Sequence, residues 1–273
     1  MSTNRVFLTL LIALGSAGLD RPPFPGHDQS KIQVLLITGY NSTPAHHWRE
    51  VDPQLRQILE ASGRFEVRIE EEPRGTTGRT FAGYDVLLLD YSDYTPNLGT
   101  PWPEETREAY LQFLRNGGGV VAFHVTVGSF PEWDEFRKTL GIEDYSKIGH
   151  GPYHDFVVKD VAPADPIMRG IPESFAGWGE IYHQIRLSSN VRVLASAWDD
   201  PDNCLPNRVS CGTGNDTPVL WTNRYGNGRV FVTTLGHDLR EVSSPEFQAT
   251  LVQGAMWAAN RDVDVSRRSA TSH

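Results

Sequence analysis

Short runs of apolar residues alternate with stretches of helical periodicity in the first half of the chain. Strands are predicted at 32–38, 65–69, 84–90 and 120–123. The apolar run at 32–38 predicts a strand that is buried on both faces, and 84–90 is again a continuous apolar run. Apolar residues at helical spacing predict helices at 52–63, with Asp52 as the N-cap, and at 103–117 and 132–140. This order of elements predicts a mainly parallel sheet that is covered by helices.

The second half has a weaker pattern. Strands are predicted at 156–158, 191–195, 219–221 and 230–235, with a hairpin turn at 225–229 before the last of them. Ser244 is the predicted N-cap of a final helix that runs to about Ala259. We find no internal repeat, so the simplest prediction is a single α/β domain at 31–260.

The N-terminal segment has the pattern of a targeting sequence. One positive charge at Arg5 precedes an apolar run at 6–14 and small residues at 15–18. This pattern predicts a signal peptide at 1–19 and a secreted or periplasmic location, although a hydrophobic N-terminal arm would have a similar composition. A linker at 20–30 and a disordered tail at 261–273 complete the predicted organisation.

The charge balance restricts the classes of partner. The 273 residues include 25 Lys and Arg against 34 Asp and Glu, which gives a net charge of −9. An acidic protein does not attract phosphates, so we expect neither a nucleic acid nor an anionic membrane as a partner. The charge does not indicate whether the protein forms oligomers.

Cys204 and Cys211 are the two cysteines of the chain, and they lie seven positions apart in a Pro- and Gly-rich stretch. In an exported protein they could close a small loop as a disulfide, and otherwise they would be two unpaired thiols. A zinc site is not predicted from them, because the spacing does not match structural zinc motifs.

Histidines follow the predicted strands where each of them ends. His46 lies in the loop after 32–38, His124 follows 120–123 directly, and His237 follows 230–235. Ligands of open parallel sheets bind beyond the carboxyl ends of the strands. We therefore expect several imidazoles to meet at one edge, where they could bind a metal, move protons or hydrogen-bond a polar ligand.

Three further residues extend this set. His150 and His154 flank residues 151–153, and Glu180 adds a carboxylate. A mixed set of histidines and carboxylates suits Zn, Mn or Fe(II). The spacing is not that of a short metal motif, so each histidine taken alone could equally serve as a structural hydrogen-bonding residue.

Several familiar catalytic motifs do not occur. The chain has neither the G-x-S-x-G motif of the α/β-hydrolases nor the P-loop motif of nucleotide-binding proteins. The glycines at 117–119 precede a strand, which indicates a helix C-cap and not a dinucleotide site. Trp48 and Trp133 neighbour the candidate site segments and could stack on sugar rings, or could simply pack in the core.

Eight short motifs in this order resemble the ThuA-like domain, the trehalose-utilisation family. They are VLLITG at 34–39 with HHW at 46–48, YDV at 84–86, WPEET at 102–106, GGGVVAFH at 117–124, FPEW at 130–133, HGPYH at 150–154, GEIY at 179–182, and YGNGRVF at 225–231 with LGHD at 235–238.

The resemblance implies a flavodoxin-like, class I glutamine-amidotransferase-like fold, a three-layer α/β/α sandwich. His124 stands where an amidotransferase would have its cysteine nucleophile, so glutaminase activity is not implied. The family is associated with trehalose and related disaccharides. Two positions depart from its pattern: His47 replaces an acidic or amide residue, and Gly179 replaces the first acid of an Asp-Glu-Leu-Tyr motif.

These observations predict an exported enzyme that acts on a disaccharide or an oxidised (keto) sugar as a hydrolase, lyase or isomerase. Glu180 would be the base, and His124 and His237 would be acid/base groups or ligands of a divalent metal. The residues predicted to orient the substrate are His46, Trp48, Trp133, His150 and His154. The alternatives are a non-catalytic carbohydrate-binding or structural module and, by fold analogy alone, a flavin-dependent redox partner.

Overall fold

The computed structural model describes residue 28 and residues 30–40, 46–93, 102–144 and 147–261. The predicted signal peptide at 1–19 lies outside the described residues. So do the predicted linker and tail, apart from residues 28, 30 and 261. None of the helices within the described ranges is long and apolar enough to cross a membrane.

Thirteen strands and six helices form the described part of the chain. The strands are β1 (Ile32–Ile37), β2 (Phe65–Glu70), β3 (Val86–Leu89), β4 (Gly119–Phe123), β5 (Ile142–Asp144), β6 (Gly149–His150), β7 (His154–Asp160), β8 (Ser174–Gly179), β9 (Tyr182–His183), β10 (Arg186–Leu187), β11 (Arg192–Asp199), β12 (Asn215–Tyr225) and β13 (Gly228–Thr233). The helices are α1 (Trp48–Ala61), α2 (Gly78–Phe81), α3 (Glu104–Arg115), α4 (Asp134–Leu140), α5 (Leu239–Val242) and α6 (Pro245–Ala258).

Nine of the strands form one sheet in the order β2-β1-β3-β4-β13-β12-β11-β7-β8. The strands from β2 to β13 in this order are parallel to one another, whereas β12, β11, β7 and β8 continue the sheet in antiparallel fashion. The parallel half brings the carboxyl ends of β1, β3, β4 and β13 to one edge. That edge is the expected place for a ligand site.

Helices cover both faces of this sheet. Val34 and Leu36 of β1 pack in a core cluster with residues of α1 and α6. Leu35 and Ile37 point to the opposite face and pack in a second cluster with α3 and α4. The strand is therefore buried on both faces, as its continuous apolar run predicts, and the predicted α/β sandwich is confirmed.

The ends of the helices show both a correct and an incorrect prediction. The hydroxyl of Ser244 accepts a hydrogen bond from the Phe247 amide at 3.2 Å and caps α6, as predicted. In contrast, α1 begins at Trp48, four residues before the predicted N-cap Asp52. Asp52 lies inside the helix with a side chain that is only 1% exposed, because this face of α1 packs on the sheet.

Asp52 and Asp90 form a buried pair of carboxyl groups beneath the edge of the sheet. Asp90 follows β3 and is also buried. Burial, and next the charge of Asp90, raise the pKa of Asp52 well above its usual range. Burial likewise raises the pKa of Asp90. The pair therefore keeps at least one proton at neutral pH, although the unfolded chain would have lost both.

Asp52→Asn is expected to stabilise the protein increasingly as the pH rises. The folded wild-type protein holds a proton on Asp52 that the unfolded chain releases above about pH 4, so folding takes up a proton and wild-type stability falls with rising pH. Folding of the variant takes up no proton at this position. Its free energy of unfolding should therefore rise relative to that of the wild type by about 1 kcal/mol per pH unit between pH 5 and pH 8. Urea unfolding at several pH values measures the difference.

Glu50→Gln is the matched control for this change, because it removes an exposed carboxylate from the first turn of the same helix. The difference in free energy of unfolding between Glu50→Gln and the wild type should not change with pH. A stability difference between Asp52→Asn and the wild type that stays constant with pH would contradict the prediction.

Candidate functional site

Four strands deliver four polar side chains to the same place. His46 lies between β1 and α1, His124 follows β4, and His237 follows β13. Glu180 follows β8, the last strand of the antiparallel half, and lies beside β9. The structure therefore brings together residues that are up to 191 positions apart in the sequence, since 237 − 46 = 191.

These four residues form a compact cluster. Each offers one donor atom such that all four atoms lie within 4.8 Å of one another. The carboxylate of Glu180 lies 3.7 Å from His46 Nε2 and 3.8 Å from His237 Nε2. The three imidazole rings have centroids 4.9–5.3 Å apart. This spacing is close enough for one small cation to bind all four.

Several donor atoms of the cluster are buried without a hydrogen-bond partner among the described residues. They are both ring nitrogens of His46, Nε2 of His124, Nδ1 of His237 and Oε2 of Glu180. Leaving polar atoms unpaired in the interior costs free energy. A divalent cation would satisfy a group of such atoms at once, and three imidazoles with one carboxylate are a donor set that Zn, Mn or Fe(II) accepts.

His124 is held in a defined orientation. Its Nδ1 lies 2.6 Å from the backbone carbonyl of Thr234, so Nδ1 carries the proton and donates it to that oxygen. This leaves the lone pair on Nε2, which has no partner. A hydrogen bond from the other ring nitrogen to a carbonyl is the usual way to orient a histidine ligand.

The backbone of His124 is also strained. Its φ is +43°, in the left-handed region that residues with a Cβ adopt at a cost of about 1–2 kcal/mol. Strain of this kind persists where the surrounding structure imposes it, and it occurs often at functional sites. The tight turn after β4 therefore projects His124 into the cluster instead of continuing the strand.

Burial in the cluster favours the neutral forms of His124 and His237, which lie beside an ionised Glu180. Burial, and next the proximity of His46 and His237, lower the pKa of His124 well below its usual value. Burial lowers the pKa of His237. Burial opposes ionisation of Glu180, but the proximity of His46, His150 and His237 holds the pKa of this carboxyl below its usual value. The same protonation states are needed for binding a metal.

A cavity of about 250 Å³ opens beside the cluster. Both polar and apolar residues line it: His46, Ser92, Val125, Gly128, Ile148, Gly149, His150, Tyr182, Leu205 and Ser210. His150 links the cavity to the cluster, because its Nδ1 lies 3.5 Å from the Glu180 carboxylate. The ring of Tyr182 contacts both His124 and His150.

The loop at 200–214 forms one wall of this cavity. The structure joins Cys204 and Cys211 in a disulfide within the loop. The hydroxyl of Ser210 donates a hydrogen bond to the His150 carbonyl at 2.8 Å, which attaches the loop to the site. Sequence reasoning did not nominate Leu205 or Ser210, because nothing in a loop sequence indicates where the loop folds back.

Three predicted substrate residues have different surroundings. Trp133 is buried in the aromatic core, where its ring stacks on Phe136 and meets Phe130 edge to face. Trp48 is the first residue of α1, and the Arg49 guanidinium lies over its ring. His154 lies on β7, with Nδ1 at 2.9 Å from the Pro152 carbonyl, and it is not among the four clustered residues. These contacts favour packing as the role of Trp133.

Comparison with known proteins is consistent with this architecture. A family model described as ThuA, trehalose utilisation, matches residues 33–258. A ThuA-like protein from Parabacteroides merdae has 30% sequence identity and a TM-score of 0.71, over 85% of this chain and 91% of its own. A ThuA-like protein from Bacteroides uniformis has 20% identity and a TM-score of 0.67, over 88% and 98% of the two chains.

A third solved structure, a protein from Salmonella typhimurium, has 14% identity and a TM-score of 0.59, over 83% of this chain and 99% of its own. At this identity the likeness shows the fold alone. No curated protein sequence matches the chain.

These comparisons correct the predicted secreted or periplasmic location. The Salmonella structure is named a cytoplasmic protein, and so is a second Salmonella typhimurium protein with the same fold. The prediction of export rested on a short apolar run beside a single positive charge, which is a weak signal because segments of other kinds share it. Export is therefore no longer part of the predicted function.

Proposed function

Because the chain belongs to the ThuA, or trehalose-utilisation, family, we propose that it is a carbohydrate-processing enzyme. Its substrate would be a disaccharide or an oxidised (keto) sugar. The proposal depends above all on the convergence of His46, His124, Glu180 and His237, whose buried donor atoms lie within 4.8 Å of one another. A purely structural cluster would satisfy these atoms with one another or with the backbone.

The cluster fits a divalent metal. His46, His124 and His237 would hold the ion through neutral imidazole nitrogens, and Glu180 would balance part of its charge. A bound Zn, Mn or Fe(II) ion would supply Lewis-acid polarisation of a carbonyl or hydroxyl oxygen.

Glu180 is the proposed base. Its carboxylate is ionised, largely buried and within 4 Å of three imidazoles. It can accept a proton from the substrate and pass it to His150, the one of these imidazoles that is not a proposed metal ligand. His150 is the most exposed of these three imidazoles and lies between Glu180 and the cavity. It would orient a sugar hydroxyl and keep the reacting bond next to the carboxylate.

The cavity indicates how much of the substrate is enclosed. Its volume of about 250 Å³ is below the range of roughly 300–1,000 Å³ that is typical of pockets for drug-sized ligands. One sugar ring would therefore occupy it, and the second unit of a disaccharide would extend beyond it. Tyr182, Val125 and Leu205 offer apolar contact to the ring face, whereas the backbone and hydroxyls of the wall offer polar contact.

Elemental analysis of the purified protein, made without a histidine tag, tests the proposal. We expect about one Zn, Mn or Fe ion per chain, and turnover of a keto sugar or disaccharide that is lost on chelation and restored by the metal. Saccharide binding by calorimetry without conversion, in metal-loaded protein, would instead establish a binding module. Protein with neither stoichiometric metal nor turnover would overturn the proposal.

A further inference from the structure

A second carboxylate, Glu241 of α5, lies behind the cluster. Its side chain is 2% exposed, and it is not among the residues that line the cavity. Three backbone amides donate hydrogen bonds to it: Gly236 at 2.6 Å and His237 at 3.1 Å to Oε2, and Trp178 at 3.2 Å to Oε1. One buried carboxylate therefore accepts hydrogen bonds from two segments that lie about sixty residues apart in the sequence.

Each of these segments carries one member of the cluster. The amides of Gly236 and His237 belong to the turn after β13, and His237 is itself a cluster residue. The amide of Trp178 lies at the end of β8, two residues before Glu180. β2 and β8 are the two edge strands of the nine-stranded sheet, and three strands separate β8 from β13. Direct strand pairing thus does not fix Glu180 relative to His237.

The backbone at Gly179 shows how closely the two segments approach. Gly179 has a φ of +140°, and a Cβ at this position would lie 3.0 Å from the Cβ of His237 and 3.3 Å from Glu241 Oε2. A side chain at Gly179 would therefore push the two segments apart or displace the carboxylate. Glycine permits the contact, and Glu241 supplies the hydrogen bonds across it.

We propose that Glu241 is a positioning residue that sets the distance between Glu180 and His237 by binding the amides of both segments. The geometric part of this inference stands on the hydrogen bonds alone, whereas its consequence for metal binding rests on the proposed function. Outer partners of this kind orient ligands, and their loss commonly weakens metal affinity by roughly 10–100-fold.

The test compares Glu241→Ala and Glu241→Gln with the wild type. One measurement is hydrogen exchange of the Trp178, Gly236 and His237 amides in metal-free protein, and the other is Zn²⁺ affinity by competition with a chromophoric chelator. In Glu241→Ala we expect the three amides to exchange at least about tenfold faster, and Zn²⁺ affinity to fall about 10–100-fold. Glutamine keeps one carbonyl acceptor, but its NH₂ group faces a backbone amide that also donates. The exchange rates and Zn²⁺ affinity of Glu241→Gln should therefore lie between those of the wild type and Glu241→Ala.

Ser244→Ala is the matched control, because it removes the N-cap of α6 three residues further along the chain and leaves the Glu241 contacts in place. It should lower stability without changing either the exchange of the three amides or the Zn²⁺ affinity. If Glu241→Ala fails to fold, the isosteric Glu241→Gln variant decides the matter.

The two proposals fail in different ways. Wild-type protein that binds no Zn²⁺, Mn²⁺ or Fe²⁺ would overturn the metal site, and amide exchange would then still decide the role of Glu241. A wild-type protein that binds metal, with Glu241→Ala and Glu241→Gln matching Ser244→Ala in both measurements, would overturn the positioning role and leave the metal site intact.

Discussion

The metal content of His124→Ala protein is expected to fall from about one ion per chain to less than about 0.1 after desalting. His124 Nε2 is buried without a partner, and the Thr234 carbonyl fixes the ring so that this nitrogen faces the cluster. With Glu180 acting as the base, alanine leaves the ion only two histidine ligands, fewer than the three protein ligands that usually hold a catalytic metal. Elemental analysis and Zn²⁺ titration measure the loss.

His47→Ala is the matched control for this experiment. His47 is adjacent to a cluster residue in the sequence, but its side chain is exposed and makes no capping hydrogen bond to α1. This variant should keep its metal. Alanine keeps a Cβ, so the left-handed strain at position 124 remains. The free energy of unfolding of the metal-free variant should therefore fall by no more than the ordinary cost of one substitution, about 0.5–3 kcal/mol. Full metal content in well-folded His124→Ala protein would show that His124 is not a ligand.

Glu180→Gln is expected to reduce kcat by about 10²–10⁴-fold at saturating metal and substrate. Glutamine has the shape of glutamate but cannot accept a proton, and general-base catalysis contributes roughly this factor. The KM should change much less, because the cavity lining and His150 remain in place. Steady-state kinetics on the substrate found in the sugar screen provides both values.

Glu173→Gln serves as the control for this change, since it alters an exposed glutamate immediately before the same strand, β8. Its kinetics should match those of the wild type. A Glu180→Gln enzyme that keeps more than about a tenth of wild-type kcat would exclude Glu180 as the base. It would leave His150 or a cluster histidine as the group that takes the proton.

The parallel half of the fold and its three histidines could be predicted from the sequence for one physical reason. β1, β3 and β4 are buried on both faces, so they appear in the sequence as short, mainly apolar runs. Such runs are typical of the central strands of a parallel sheet. Once these strands are recognised as parallel, the residues that follow them must meet at one edge. His46, His124 and His237 could therefore be nominated together without knowledge of any contact.

The antiparallel half was predicted less completely, because its outer strands β7 and β8 are only partly buried. β7 alternates exposed and half-buried residues around a single buried one, and β8 contains two glycines and was not predicted. Glu180 was nominated as a carboxylate, but its position next to His46 depends on how β8 joins the sheet. Glu241 was missed entirely, since a glutamate in a short helix gives no sign that it is buried.

The buried Asp52 shows a different limit. Aspartate followed by proline is the expected start of a helix, and local preference alone would place the N-cap there. Packing against the sheet overrides this preference, and the helix begins one turn earlier at Trp48. Local patterns predict that a helix exists more reliably than they predict where it begins.

The disulfide-closed loop at 200–214 belongs to none of the strands that deliver the cluster residues, yet it supplies one wall of the cavity. Under the proposed function, the chemistry and part of the substrate preference would be encoded in separate stretches of the chain. Insertions or substitutions in this loop can reshape the cavity while every cluster residue keeps its support from the sheet. Such a division would allow related proteins to diversify across many sugars while retaining one reaction, because selection on preference need not disturb the catalytic framework.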